Sequence, residues 1–335
     1  MDEPGGLVPR DSPTYREFVR LYRLAQDLRP TGLDRWNGDL YATSADHWGG
    51  FHAKAGHISL SGPLVLQHLT DPTSTASQRA EALATVLHEA THAGMETDAP
   101  NEPNAVRTEH SRGALEGFAE LRTVADFETF AASAGYPHLR LTEPQYPGAF
   151  AAMDSLALQA SGPAKDRTTF IAEGTRGPAV MHFDQLADGV LRNRLADVVP
   201  FRQEHRRAVR AALIAPMLHR GWPILKDSSR EVGEKVADEI RGKLNSTVEE
   251  IRRHYRAQSG EAFPSESPNP QVDVVSVGDR PAAASSKEHP EMRFLGGQAG
   301  AAGATRWRPV LGDGGRGRDA RVGPATGRDR GSGRE

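Results

Sequence analysis

The chain has 335 residues, a formal net charge of −3 and no cysteine. The near-balanced charge gives no strong electrostatic signal for nucleic acid or a membrane surface, and without cysteine there are no disulfides or thiolate metal sites, so a metal must be held by histidine and carboxylate. No apolar run approaches the length of a bilayer span and residues 1–10 lack the apolar core of a secretory signal, so the expectation is a chain that is cytoplasmic at synthesis, with signal-independent export left open.

Residues 12–29 read as a helix. Phe18, Leu21, Tyr22, Ala25 and Leu28 recur at spacings of three and four, and Pro30 ends the run. A stretch containing glycine and tryptophan follows over 33–50. Residues 51–60 then read as extended, with 57–60 the best strand candidate and Pro63 closing it. A short helical turn is expected over 64–69 and a loop over 71–74.

The next segment, residues 77–93, carries the most informative pattern. Ala80, Leu83, Ala84, Val86, Leu87 and Ala90 recur at helical spacing, Ser77 is a candidate N-cap and Gly94 a natural stop. Within it lies H-E-x-x-H: His88, Glu89 and His92. Positions four apart share one helix face, so His88 and His92 can turn two imidazoles toward one metal ion. Glu89 sits one residue round and can reach a water on that metal. Two neutral nitrogens, an open position and a carboxylate base are what a zinc peptidase requires. A mostly apolar helix would bury these polar groups at a cost unless a metal supplied their partner.

A catalytic zinc usually takes a third protein ligand. After a turn-rich loop over 98–103, residues 106–134 read as a second helix ended by Gly135 and Pro137. This region offers four carboxylates: Asp98, Glu109, Glu116 and Glu120. Glu116 is the first choice. It lies far enough beyond His92 for a loop and a return helix, Leu115 and Phe118 would anchor it in the core, and Gly117 would let two helices approach closely. Glu120, one turn on, serves as an alternative ligand or as a carboxylate orienting a histidine.

Further helices are expected over 150–160, 182–199, 202–218 and 228–255. The last has Ser228 and Glu231 as a capping-box pattern. Its apolar stripe, Val232, Val236, Ile240, Leu244, Val248, Ile251 and Tyr255, reads as a face packed on the body. Residues 263–335 are rich in Gly, Pro and Arg and poor in large apolar side chains. They are expected to be a disordered tail, because they bury too little surface to offset their ordering entropy. The expected organisation is one metallopeptidase domain, 1–262, with a catalytic core over about 51–160 and a helical subdomain over about 180–258. The fold class is α+β, mostly helical: an active helix packed on a small mixed sheet.

His88, Glu89, His92, Glu116, Gly117 and Ala119 together resemble the pattern of the gluzincin metallopeptidases, in which H-E-x-x-H is followed on a second helix by a glutamate in an E-G-x-A setting. The resemblance spans residues 58–121 and implies a zincin-like catalytic domain with a single catalytic Zn²⁺ held by His88, His92 and Glu116. Asp98 stands at the offset from His92 used by H-E-x-x-H-x-x-G-x-x-D enzymes, which resemble the metzincins, although the glycine falls at Gly94, where that pattern has it one residue later. Glu109 is the remaining alternative. The strand, the H-E-x-x-H helix and the Phe118-Ala119 pair also resemble, more loosely, the repressor-cleaving metallopeptidases of the ImmA/IrrE type.

The function these readings imply is a zinc-dependent endopeptidase acting on a protein or peptide substrate. Glu89 would take a proton from a zinc-bound water and pass it to the leaving nitrogen. Tyr136, His138, Tyr146 and His182 are candidate donors to the oxyanion. The strand at 57–60, with His52, Lys54 and His57 on its edge, would lie along the cleft. Pocket residues that select the substrate are not legible. Three versions follow: a bacterial toxin or delivered effector, a regulator that cleaves one repressor, and a catalytically silent binding protein on the same scaffold. The intact Glu89 weighs against the last.

Overall fold

The computed structural model describes residues 5–44, 47–258 and 260–268. In chain order the elements are β1 (Gly6–Leu7), α1 (Pro13–Leu28), β2 (Leu40–Thr43), β3 (Gly49–His52), β4 (His57–Ser61), α2 (Gln67–Thr70), α3 (Ala76–Ala93), α4 (Glu109–Ser133), α5 (Pro147–Ala160), α6 (Arg167–Arg176), α7 (His182–Val190), α8 (Gln203–Ile214) and α9 (Arg230–Ala257). The fold is α+β, mostly helical, with one small mixed sheet. Among the described residues no helix is long and apolar enough to cross a membrane.

Local chemistry sets the helix starts. Ser12 caps α1 by accepting from the Tyr15 N–H, and Pro13 occupies the first turn, where its missing donor costs nothing. The cap of α3 is Thr75 rather than the expected Ser77. Thr75 has Gln78 three residues on, and the two form a reciprocal capping box. Ser77 has Ala80 at that place, which has no side-chain acceptor, and its hydroxyl turns to Glu81 instead. In α9 the cap position is likewise one residue later than expected, at Ser229. The Ser228 hydroxyl donates to the Ile224 carbonyl.

The sheet order is β1-β2-β4-β3. β2 and β4 run parallel, with Leu40 opposite Ile58 and Thr43 opposite Ser61; β3 is antiparallel to β4, with Phe51 opposite Ile58. Residues 51–60, expected as one extended run, are thus two strands joined by a tight turn, where Gly56 adopts a positive φ of 74°. Strands β1 and β2 fell in stretches without alternation, and α6 carried no marked apolar period; none of the three was anticipated. The helix expected over 182–199 is α7 followed by a wider π-type turn at Leu191–Leu195.

Two apolar cores flank α4. One gathers α1, the sheet, α3 and the far end of α4, through Phe18, Ile58, Leu87, Phe127 and Phe130. The other gathers the first half of α4 with α5, α7, α8 and α9, through Phe118, Met153, Phe183, Leu213 and Ile240. The α9 stripe from Val236 to Tyr255 is buried in this second core, while Val232 is exposed. Beyond α9, Phe263 packs on the second core and its N–H donates to the Tyr255 hydroxyl. The Ser267 hydroxyl donates to the Pro103 carbonyl. Most of the tail expected to be disordered, residues 269–335, lies outside the described residues.

Candidate metal centre

The site forms where α3 crosses α4, between the two cores. His88 and His92 stand one turn apart on α3, and Glu116 projects from α4. The His88 and His92 Nε2 atoms are 2.9 Å apart, and Glu116 Oε2 is 3.2 Å from the first and 3.3 Å from the second. All three side chains are buried. Among the described residues this is the one group of three or more His, Cys, Asp or Glu side chains whose ligand atoms converge in this way.

The electrostatics describe a crowded polar pocket. Burial pushes the Glu116 carboxyl up, but the adjacent His92 and the hydrogen bonds from both imidazoles outweigh it and hold the group well below the usual carboxylate range. Burial pulls His88 down, yet its contacts with Glu116 and Glu120 raise it well above the ordinary histidine value. Glu89 is raised by burial, only partly countered by the two histidines, and accepts a hydrogen bond from the Phe51 backbone N–H. Its Oε2 and the His92 Nδ1 have no hydrogen-bond partner.

Two imidazole nitrogens and a carboxylate oxygen so close together suit a divalent cation. The donor set is that of His/carboxylate metal sites, and a cation would satisfy atoms that otherwise need an extra proton between them.

Behind the three donors stands Glu120, also fully buried. Its Oε1 is 2.8 Å from His88 Nδ1, the nitrogen facing away from Glu116, although the angle is poor for a hydrogen bond. At this distance, and out of water, the two groups are in electrostatic contact. Its Oε2 accepts from the Gln145 N–H at 3.1 Å. Glu120 therefore lies behind a histidine rather than in the donor set. Asp98 and Glu109 are not part of the cluster: Asp98 pairs with Arg107 and caps the Ala99 N–H, and Glu109 is exposed in the first turn of α4.

Of the four candidate oxyanion donors, Tyr146 packs against His88, its buried ring centroid 5.3 Å from that of the imidazole. Its hydroxyl is raised well above the ordinary tyrosine value, first by burial and then by Glu116, Glu89 and Glu120. His182 is buried against Phe118, donates from Nε2 to the Gly174 carbonyl, and is lowered to about 4 by burial and by the charge of His92. Tyr136 pairs with Arg79, and His138 is exposed.

Two expectations about the surroundings need correction. β4 is hydrogen-bonded on both sides, by β2 and β3, so residues 57–60 have no free edge; the edge strand beside α3 is β3. And Gly117 does not ease the approach of α4 to α3. A Cβ there would lie 2.7 Å from Met153 Cβ and 2.9 Å from the Ala149 carbonyl oxygen, both on α5. The glycine brings α5 against the back of the helix that carries Glu116.

Arg122 was not anticipated. It is buried and donates to the Thr91 hydroxyl on α3 and to the Ala25 carbonyl on α1, and its Nε lies 3.6 Å from Asp126. Asp126 is in turn held by Arg29 through two contacts of 2.5 and 2.8 Å. The i, i+4 spacing of Arg122 and Asp126 was the available signal, but it is also the spacing of ordinary surface pairs.

No family model, curated protein or solved structure matches this chain.

Proposed function

We propose that the protein is a zinc-dependent metallopeptidase, an endopeptidase that uses His88, His92 and Glu116 to hold one zinc ion and Glu89 as the general base. The observation that carries this reading is the company Glu89 keeps. It is a buried carboxylate with a free oxygen, one residue from the first of three converging metal-type donors, and its proton affinity is raised above that of an ordinary glutamate. A base of raised pKa is suited to shuttling a proton near neutral pH.

When bound, zinc would supply Lewis acidity and lower the pKa of water bound to it. Glu89 then accepts the proton of the attacking water and delivers it to the departing amine nitrogen, so that the carbonyl carbon gains an oxygen as the C–N bond breaks. Strand β3 offers the substrate a place. It is an edge of the sheet packed beside α3, and an extended peptide can add to such an edge through main-chain hydrogen bonds. The Phe51 N–H bonds Glu89, tying that edge to the base.

The test is a pair of measurements on the full-length protein. Zinc content should be near one ion per chain and should drop sharply in Glu116→Ala. Glu89→Gln should keep its zinc and lose cleavage of a denatured protein or peptide library. Absence of zinc after reconstitution would overturn the metal assignment. Full activity in Glu89→Gln would overturn the assignment of the base.

A further inference from the structure

We propose that Gln145, at the end of the loop joining α4 to α5, is a positioning residue that sets the metal affinity of the centre. The inference rests on the metal-centre reading above, and goes beyond it to a residue that touches none of the three donors.

Gln145 binds both helices of the site. Its backbone N–H donates to Glu120 Oε2 at 3.1 Å, and the other oxygen of that carboxylate lies 2.8 Å from His88 Nδ1. Its side-chain amide crosses to α3, donating to the Thr85 hydroxyl at 2.6 Å and to the Glu81 carbonyl at 3.1 Å. Thr85 lies three residues before His88 and so on the same side of α3. The residue after Gln145 is Tyr146, whose buried ring packs against the His88 ring. The loop end thus fixes the carboxylate behind His88, the helix that carries His88 and one wall of the His88 ring.

The physical consequence is specific. Partners that hold the far nitrogen of a ligating histidine fix its tautomer and ring direction, and their loss typically weakens metal binding tenfold to a hundredfold. Glu120 plays that part only while its own position is fixed. It is buried, and the Gln145 N–H engages the oxygen that does not face His88. The amide contacts to α3 keep that N–H in place. Cutting them loosens the carboxylate and widens the range of His88 ring orientations, while leaving the donor set chemically unchanged.

Two variants test this. Gln145→Ala removes the amide and keeps the backbone N–H. Thr85→Val removes the hydroxyl acceptor from the opposite side with almost no change of shape. Zinc dissociation constants are measured in the full-length protein by competition with a chromophoric chelator, and urea unfolding of the zinc-free forms is measured in parallel. Each variant should bind zinc about tenfold more weakly, and the double variant should lose less than the product of the two, because both cut one link. A purely structural role would lower the stability of the zinc-free protein and leave the zinc affinity of its folded form unchanged; that outcome overturns the proposal. So does a wild-type affinity in Thr85→Val, which keeps the question decidable if Gln145→Ala does not fold. A wild-type protein that takes up no zinc is a different failure, and removes the metal-centre reading itself.

Discussion

Glu120 Oε1 stands 2.8 Å from His88 Nδ1, on the opposite side of the imidazole from Glu116. One carboxylate thus meets each nitrogen of the same ring. With Nε2 turned toward a metal, Nδ1 carries the hydrogen, and the negative charge of the Glu120 carboxylate beside it favours this tautomer. Its second oxygen accepts from the Gln145 N–H. Glutamine has only one acceptor oxygen, so Glu120→Gln must set donor against donor at one end. Zinc affinity in Glu120→Gln should fall tenfold to a hundredfold by chelator competition. An unchanged affinity would mean that Glu120 is a buried bystander.

Gly117 lies between Glu116 and Phe118, with α5 against it. Gly117→Ala gains about 1 kcal/mol of helix propensity. It also forces a methyl group into contacts of 2.7 and 2.9 Å with Met153 Cβ and the Ala149 carbonyl, and overpacking of this kind costs about 1–3 kcal/mol. Because part of the contact is backbone, relief requires a shift of α4 against α5. The expected result is net destabilisation in urea unfolding, accompanied by weaker zinc retention. A variant more stable than the parent would show that the helices separate without strain.

Arg122 joins three helices at a point fully removed from water. Burial lowers its pKa to about 10, against the pull of Asp126. Arg122→Met preserves much of the packing but takes the guanidinium donor from the Ala25 carbonyl and the Thr91 hydroxyl, which keeps its own bond to the Leu87 carbonyl, and leaves Asp126 to Arg29 alone. Leaving a buried acceptor without its donor costs about 1–3 kcal/mol, which denaturant unfolding would register directly. A loss below about 1 kcal/mol would place the guanidinium in contact with water.

His182 contributes to the pH dependence of the metal-free fold. Its folded-state value is lowered from 6.5 to about 4, chiefly by burial, with His92 adding to the effect. The unfolded chain therefore binds this proton first as pH falls. The stabilising contribution is complete above pH 6.5 and is lost progressively between 6.5 and about 4, amounting to about 3 kcal/mol in all. Zinc-free His182→Phe should lose the hydrogen bond to Gly174 at every pH, yet show a flatter stability profile through that window. Parallel profiles for parent and variant would mean that His182 titrates normally.

What the sequence determined by itself was local. The spacing in His88-Glu89-x-x-His92 places two imidazoles on one face of any helix, and the apolar neighbours at helical spacing made that helix legible before any fold was known. The same logic gave α1, the core stripe of α9 and the mostly helical α+β class. The tertiary structure decided everything that depends on one element crossing another. Four carboxylates were available to complete the donor set, and only the packing of α4 on α3 brings Glu116 to the histidines, sets Glu120 behind His88 and leaves Asp98 and Glu109 outside. The free edge of the sheet moved from residues 57–60 to β3 because strand order is set by long-range pairing, which alternation within a strand does not encode. Gly117, Arg122 and Gln145 acquired their roles in the same way. Each acts through a partner at least a dozen positions distant along the chain, and side-chain periodicity carries no information about which distant surface a helix will meet.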